Sequence, residues 1–115
     1  MPTLFGIGNC DTVKRARAWL TAQDIDHHFH DFRKAGLDAE LLDGWLAEVP
    51  WQQLLNRRGT TWRKLDATLQ HSVVDAASAK ALMLSHSSLV KRPVVRWGDG
   101  RTTVGFDADA WAERL

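Results

Sequence analysis

Leu4-Phe5-Gly6-Ile7-Gly8-Asn9-Cys10-Asp11-Thr12-Val13-Lys14 joins a short apolar run to a helical pattern, and the chain's one cysteine stands at the joint. Residues 3–7 read as a buried strand ended by Gly8. Val13, Ala16, Trp19 and Leu20 then recur at helical spacing, which predicts an amphipathic helix over 12–22 with Asn9, Asp11 or Thr12 as its cap. Residues 25–32 alternate and predict a second strand. A strand, a crossover helix and another strand form a βαβ unit with parallel strands. A helix N-terminus presents unpaired N–H groups and about half a positive charge. A thiol placed there ionises more readily, and the thiolate is the reactive species.

Outward from this unit, Lys34-Ala35-Gly36 breaks the pattern. Residues 38–49 are helical by the Leu41, Leu42, Trp45, Leu46 stripe, and Pro50 opens a further helical turn through Leu55. Residues 56–66 form a polar, basic connection around Gly59, and residues 75–86 are helical with Ala79, Leu82 and Met83 apolar. Strands at 93–97 and 101–104 flank Gly98-Asp99-Gly100, a hairpin signal, and Asp107 caps a closing helix through Leu115. The order βαβ, helices, ββα predicts an α/β chain of thioredoxin-like fold. Its sheet would have four mixed strands, with a helical insertion over about 36–88 between the two halves.

The totals are those of one globular domain over residues 1–115: 44% hydrophobic, 25% charged, net charge +1 with neutral histidines. So small a net charge gives no field for nucleic acid or a membrane surface. No apolar run approaches the roughly 18 residues of a transmembrane helix. Met1-Pro2-Thr3-Leu4 has no charged region ahead of an apolar one, so no secretory signal is read. A single cysteine without such a signal fits a reducing cytoplasm, and a monomer is expected.

Cys10 is the first candidate for chemistry. Lys14 lies one helical turn later on the same face, where it would support a thiolate; Arg15 would add to this and Asp11 oppose it. The alternative is an inert packed cysteine, against which the polar flanks Asn9 and Asp11 argue. Arg92-Pro93 opens the third strand, where proline is tolerated; residue patterns alone leave its peptide isomer open. Arg57, Arg58, Thr60, Thr61 and Arg63 cluster around Gly59. They read equally as an anion site or as a solvated basic loop whose Thr60 or Thr61 caps the next helix. His28 and His30 share a strand face near His27, but zinc wants three or four ligands and no second Cys/His cluster exists, so no metal is expected. His71 and His86 stand alone and are expected to face solvent. The tryptophans are expected in the core, except Trp62 in the basic segment.

Five segments together carry a resemblance: Phe5-Gly6-Ile7-x-Asn9-Cys10-Asp11-Thr12-Val13-Lys14, Phe29-His30-Asp31-Phe32-Arg33, Leu54-Leu55-Asn56-Arg57-x-Gly59-Thr60-Thr61-Trp62-Arg63-Lys64-Leu65, Lys91-Arg92-Pro93 and Val104-Gly105-Phe106. In order and across nearly the whole chain, they resemble the arsenate reductase/Spx (ArsC-like) family, and within it the YffB-type branch. The resemblance implies a thioredoxin-like fold with a helical insertion, a nucleophilic Cys10, an anion-binding Arg92 and a cis peptide at Pro93.

Arsenate reductases of the family carry a Gly-x-Ser-Arg loop after the cysteine, where this chain has Asp11-Thr12-Val13-Lys14. They carry an arginine after the last strand, where it has Val104-Gly105-Phe106, leaving Arg58 as the stand-in. Val13 occupies the second position of the Spx Cys-x-x-Cys switch, so that intramolecular switch cannot form here. The resemblance therefore implies a thiol-disulfide reductase with no bound cofactor and glutathione as co-substrate. Lys14, Arg57, Arg58, Thr60, Thr61, Arg92 and Pro93 would line the substrate site. The alternatives are arsenate reduction coupled to glutaredoxin, with a small oxyanion as substrate, and an Spx-like protein-interaction module.

Overall fold

The computed structural model describes residues 1–115, in two compact units: Met1–Ala35 with Arg92–Leu115, and Gly36–Lys91. The first unit carries the sheet. Strands β1 (Thr3–Gly6), β2 (His28–Asp31), β3 (Val94–Arg96) and β4 (Thr102–Val104) lie in the order β2-β1-β3-β4. β1 pairs parallel with β2, and β3 pairs antiparallel with both β1 and β4. This is the thioredoxin-like arrangement that the element order predicts.

Register decides which side chains share a face. Leu4 lies opposite both Phe29 and Val95, so these three face the same way. On that side helix α1 (Asp11–Ala22) adds Ala16 and Leu20, and the closing helix adds Trp111; with Leu4, Val95 and Trp97 they form the core of the sheet unit. The indole of Trp111 is the hub. Its ring meets Phe106 at 4.8 Å, Trp97 at 5.0 Å and Trp19 at 5.9 Å, all edge-on, the arrangement that aromatic quadrupoles favour.

The C-terminal end of α1 falls at Ala22 as predicted, and its N-terminal end lies one residue earlier than predicted. The helix starts at Asp11, so Cys10 itself is the N-cap rather than Asn9, Asp11 or Thr12. At the other end Asp24 takes a left-handed conformation (φ 62°). Its N–H bonds Thr21 O at 3.0 Å and the Ile25 N–H bonds Leu20 O at 2.9 Å, a Schellman closure. That closure consumes Ile25, so β2 begins at His28 and not at 25. β2 also stops before Phe32, because Asp31 turns the chain: its Oδ1 accepts from the N–H groups of Arg33 and Lys34 and opens the turn α2 (Phe32–Ala35).

The second unit is helical: α3 (Ala39–Leu46), α4 (Trp51–Leu54), α5 (Thr60–Arg63), α6 (Ala67–His71), α7 (Ala76–Ser85) and a 3₁₀ turn at Ser87–Leu89. α3, α4 and the 3₁₀ turn pack against α7, and Leu42, Trp45, Leu54, Ala79, Met83 and Leu89 are fully buried. Asp38 caps α3, and α7 has a reciprocal capping box between Asp75 and Ser78. α6, capped by Asp66, carries no buried residue, which is why apolar spacing does not announce it.

The N–H of Asn56 bonds Leu89 O at 2.7 Å and that of Lys91 bonds Leu54 O at 2.8 Å, tying the unit's last residues to its middle. In the sheet unit, α8 (Ala108–Glu113) closes the chain; Asp107 caps it, its carboxylate accepting from Asp109 and Ala110. No helix is long and apolar enough to cross a membrane.

Candidate active site

Gly6 lets the sheet and α1 approach closely. A Cβ there would stand 2.7 Å from Cγ2 of Val13, a buried residue of the helix's first turn. The connecting loop is pinned as well: the Gly8 N–H donates to Asp31 Oδ2 at 3.0 Å, and the Cys10 N–H donates to Ile7 O at 3.1 Å. Cys10 is thereby held, half-buried, at the N-terminus of a 12-residue helix. Its carbonyl accepts the Lys14 N–H at 3.0 Å, the first bond of the helix.

Arg92 comes to this cysteine through strand pairing. Phe5 lies opposite Val94, so continuing the antiparallel register sets Arg92 level with Ile7, at the start of the loop leading to Cys10. The Arg92–Pro93 peptide is cis, as the resemblance implies, and Pro93 is buried. The Pro93 carbonyl accepts the N–H of Gly105 at 2.8 Å, and Gly105 has φ 88°, a conformation suited to glycine.

Burial opposes ionisation of the Cys10 thiol, yet its pKa is lowered. The Val13 N–H, the Arg92 guanidinium as donor and as charge, and the Thr12 N–H outweigh the burial. The neutral thiol makes no full capping hydrogen bond, so these groups act chiefly on the anion. Lys14, expected to support the thiolate, is exposed and is not among the groups that lower the thiol pKa. Instead it borders a cleft with Asp31, Arg33 and Lys34. Sequence spacing favoured the residue one turn on; the contribution of Arg92 depends on strand pairing, which spacing does not reveal.

Arg57, Arg58, Thr60 and Thr61 belong to the helical unit. Gly59, not Thr60 or Thr61, occupies the N-cap of α5, because its extended backbone turns the chain into the helix. Asn56 organises this loop: its Oδ1 accepts the Arg58 N–H at 3.1 Å, and a Cβ at Gly59 would lie 2.8 Å from its Nδ2. The Arg58 carbonyl accepts from Arg63 Nη2 at 3.0 Å, and the Arg57 guanidinium lies 5.8 Å from the Trp51 ring centre. Arg57, Arg58, Asn56 and Lys91 border a cavity of about 320 Å³.

No three His, Cys, Asp or Glu side chains converge to hold a metal ion. His71 is exposed, but His86 is not solvent-facing as expected: it ends α7, and its Nδ1 is buried. Trp45, Trp97 and Trp111 are core residues, whereas Trp19, Trp51 and Trp62 are half-buried.

Residues 5–114 match the model of the ArsC family. The chain belongs to the ArsC family. A solved structure of a YffB protein is 48% identical, superposes with a TM-score of 0.92, and is covered to 99% by all of this chain. An arsenate reductase (ArsC) related protein from Brucella melitensis is 54% identical over 97% of this chain and 92% of its own, with a TM-score of 0.77. The global transcriptional regulator Spx of Streptococcus pyogenes is 28% identical over 95% of this chain and 81% of its own. This ArsC-family chain therefore stands among proteins described as arsenate reductase related and as Spx.

Proposed function

We propose that the chain is a glutathione-dependent thiol-disulfide reductase that works through Cys10 alone. The observation that carries this reading is the Cys10 thiol at the N-terminus of α1, its anion favoured by Val13 N–H, Arg92 and Thr12 N–H against the cost of burial. A nucleophile of this kind attacks one sulfur of a mixed disulfide between glutathione and a substrate thiol. The substrate–glutathione S–S bond breaks, the substrate leaves as a thiolate that takes a proton from water, and a Cys10–glutathione disulfide forms. The chain has no second cysteine to resolve this intermediate. A second glutathione thiolate attacks the glutathione sulfur, forms oxidised glutathione and returns the Cys10 thiolate. In sum one glutathione thiol is oxidised and the substrate sulfur is reduced. Arg92 holds the leaving charge.

The test is glutathione-dependent reduction of hydroxyethyl disulfide, coupled to glutathione reductase. Turnover that falls to background in Cys10→Ser is expected. Turnover on arsenate with glutaredoxin, in place of the disulfide, would transfer the reading to arsenate reduction. Binding of RNA polymerase that persists in Cys10→Ser, without turnover of either substrate, would transfer it to an Spx-like interaction module.

A further inference from the structure

A cleft of about 470 Å³ opens beside the cysteine loop, bordered by Gly8, Asn9, Lys14, Asp31, Arg33 and Lys34. Lys14, Arg33 and Lys34 are exposed cations on two stretches of backbone, Lys14 on α1 and Arg33 and Lys34 on the turn α2. One anionic side chain joins them. Asp31 is fixed by three backbone N–H groups, that of Gly8 on Oδ2 at 3.0 Å and those of Arg33 and Lys34 on Oδ1 at 3.0 and 3.3 Å. A carboxylate accepts about four hydrogen bonds, so one direction on Oδ2 stays open for a donor. The network also locks the cysteine loop, through Gly8, to the turn that carries Arg33 and Lys34.

We infer that this cleft is the subsite for the glutathione moiety, with Lys14, Arg33 and Lys34 taking its two carboxylates and Asp31 its α-ammonium. The inference rests on the reading of the chain as a glutathione-dependent reductase and names the residues of that site. Glutathione carries two carboxylates and one ammonium, the complement of three cations around one fixed anion. Asn9 borders the cleft and directly precedes Cys10, which sets the cleft beside the cysteine loop although Cys10 itself does not line it. The mixed charge also separates this cleft from a simple oxyanion pocket, where a carboxylate would repel the ligand.

The experiment is an NMR titration with S-methylglutathione, which binds without reacting, so binding is read apart from turnover. Shifts centred on Gly8, Asn9, Lys14, Arg33 and Lys34 are expected. In Arg33→Ala/Lys34→Ala the affinity should fall about tenfold, the sum of two partly exposed ion pairs. Arg101→Ala removes a charge from the β3–β4 connection and should leave affinity unchanged. No binding at millimolar ligand, shifts confined to other residues, or equal affinity in the double variant would each overturn the subsite. Normal binding in a protein that fails to turn over hydroxyethyl disulfide would sustain the subsite and overturn the reductase reading.

Discussion

At the residue scale the decisive balance is at one sulfur. Burial alone would make Cys10 a poor nucleophile; Val13 N–H, Arg92 and Thr12 N–H reverse that. Because the folded pKa lies below the unfolded one, the thiolate's stabilising contribution is complete above the unfolded pKa and is lost as pH falls through the folded pKa. Arg92→Ala removes both a donor and a charge. Its alkylation by iodoacetamide should keep the same limiting rate at high pH but reach half of it at a higher pH than the wild type. A coincident profile would mean that Arg92 does not act on the sulfur. Cys10 was legible from sequence because a lone cysteine between a strand and a helix is conspicuous. The Arg92 contribution follows from the resemblance and from strand pairing, whereas helical spacing points to Lys14, which is exposed and borders the cleft beside the cysteine loop.

At the element scale, the site depends on how closely α1 approaches β1. Gly6 makes that approach possible: a methyl group there meets Val13 at 2.7 Å, too close to remain without a shift. Gly6→Ala should therefore destabilise the fold by about 1–3 kcal/mol, the usual range for overpacking. It should also slow Cys10 alkylation near neutral pH by displacing the helix N-terminus. The double variant Gly6→Ala/Val13→Ala should recover much of the alkylation rate, while failure of both changes would mean that the contact does not set the position of α1. The strands and the longer helices were readable, whereas the short α6 and the limits of β2 were not. Ile25 and Phe32 look like strand residues by alternation, yet one closes the Schellman motif of α1 and the other starts the turn that Asp31 caps. Side-chain hydrogen bonds and a left-handed Asp24 set those limits, and hydrophobic period carries neither.

At the scale of the molecule, the βαβ and ββα halves come together in one sheet through the β1–β3 pairing, and Trp111 on the last helix packs under it. Removing that hub by Trp111→Ala should cost about 3–5 kcal/mol, a large part of the ~5–15 kcal/mol typical of a domain. Urea unfolding followed by far-UV circular dichroism measures it, and a loss below about 1 kcal/mol would assign the core elsewhere. Fold class was legible because the element order admits few sheets. Strand pairing supplies what residue spacing does not, the β2-β1-β3-β4 order and the physical basis for bringing Arg92 to Cys10, residues far apart in the chain.

The most direct test of the central claim is intact mass after brief exposure to oxidised glutathione across a range of pH, with Cys10→Ser beside the wild type. The account expects one glutathione added rapidly and only to the cysteine-bearing protein, already at pH below the ordinary thiol pKa of about 8.5. An adduct that forms only at higher pH, or equally in Cys10→Ser, would contradict it.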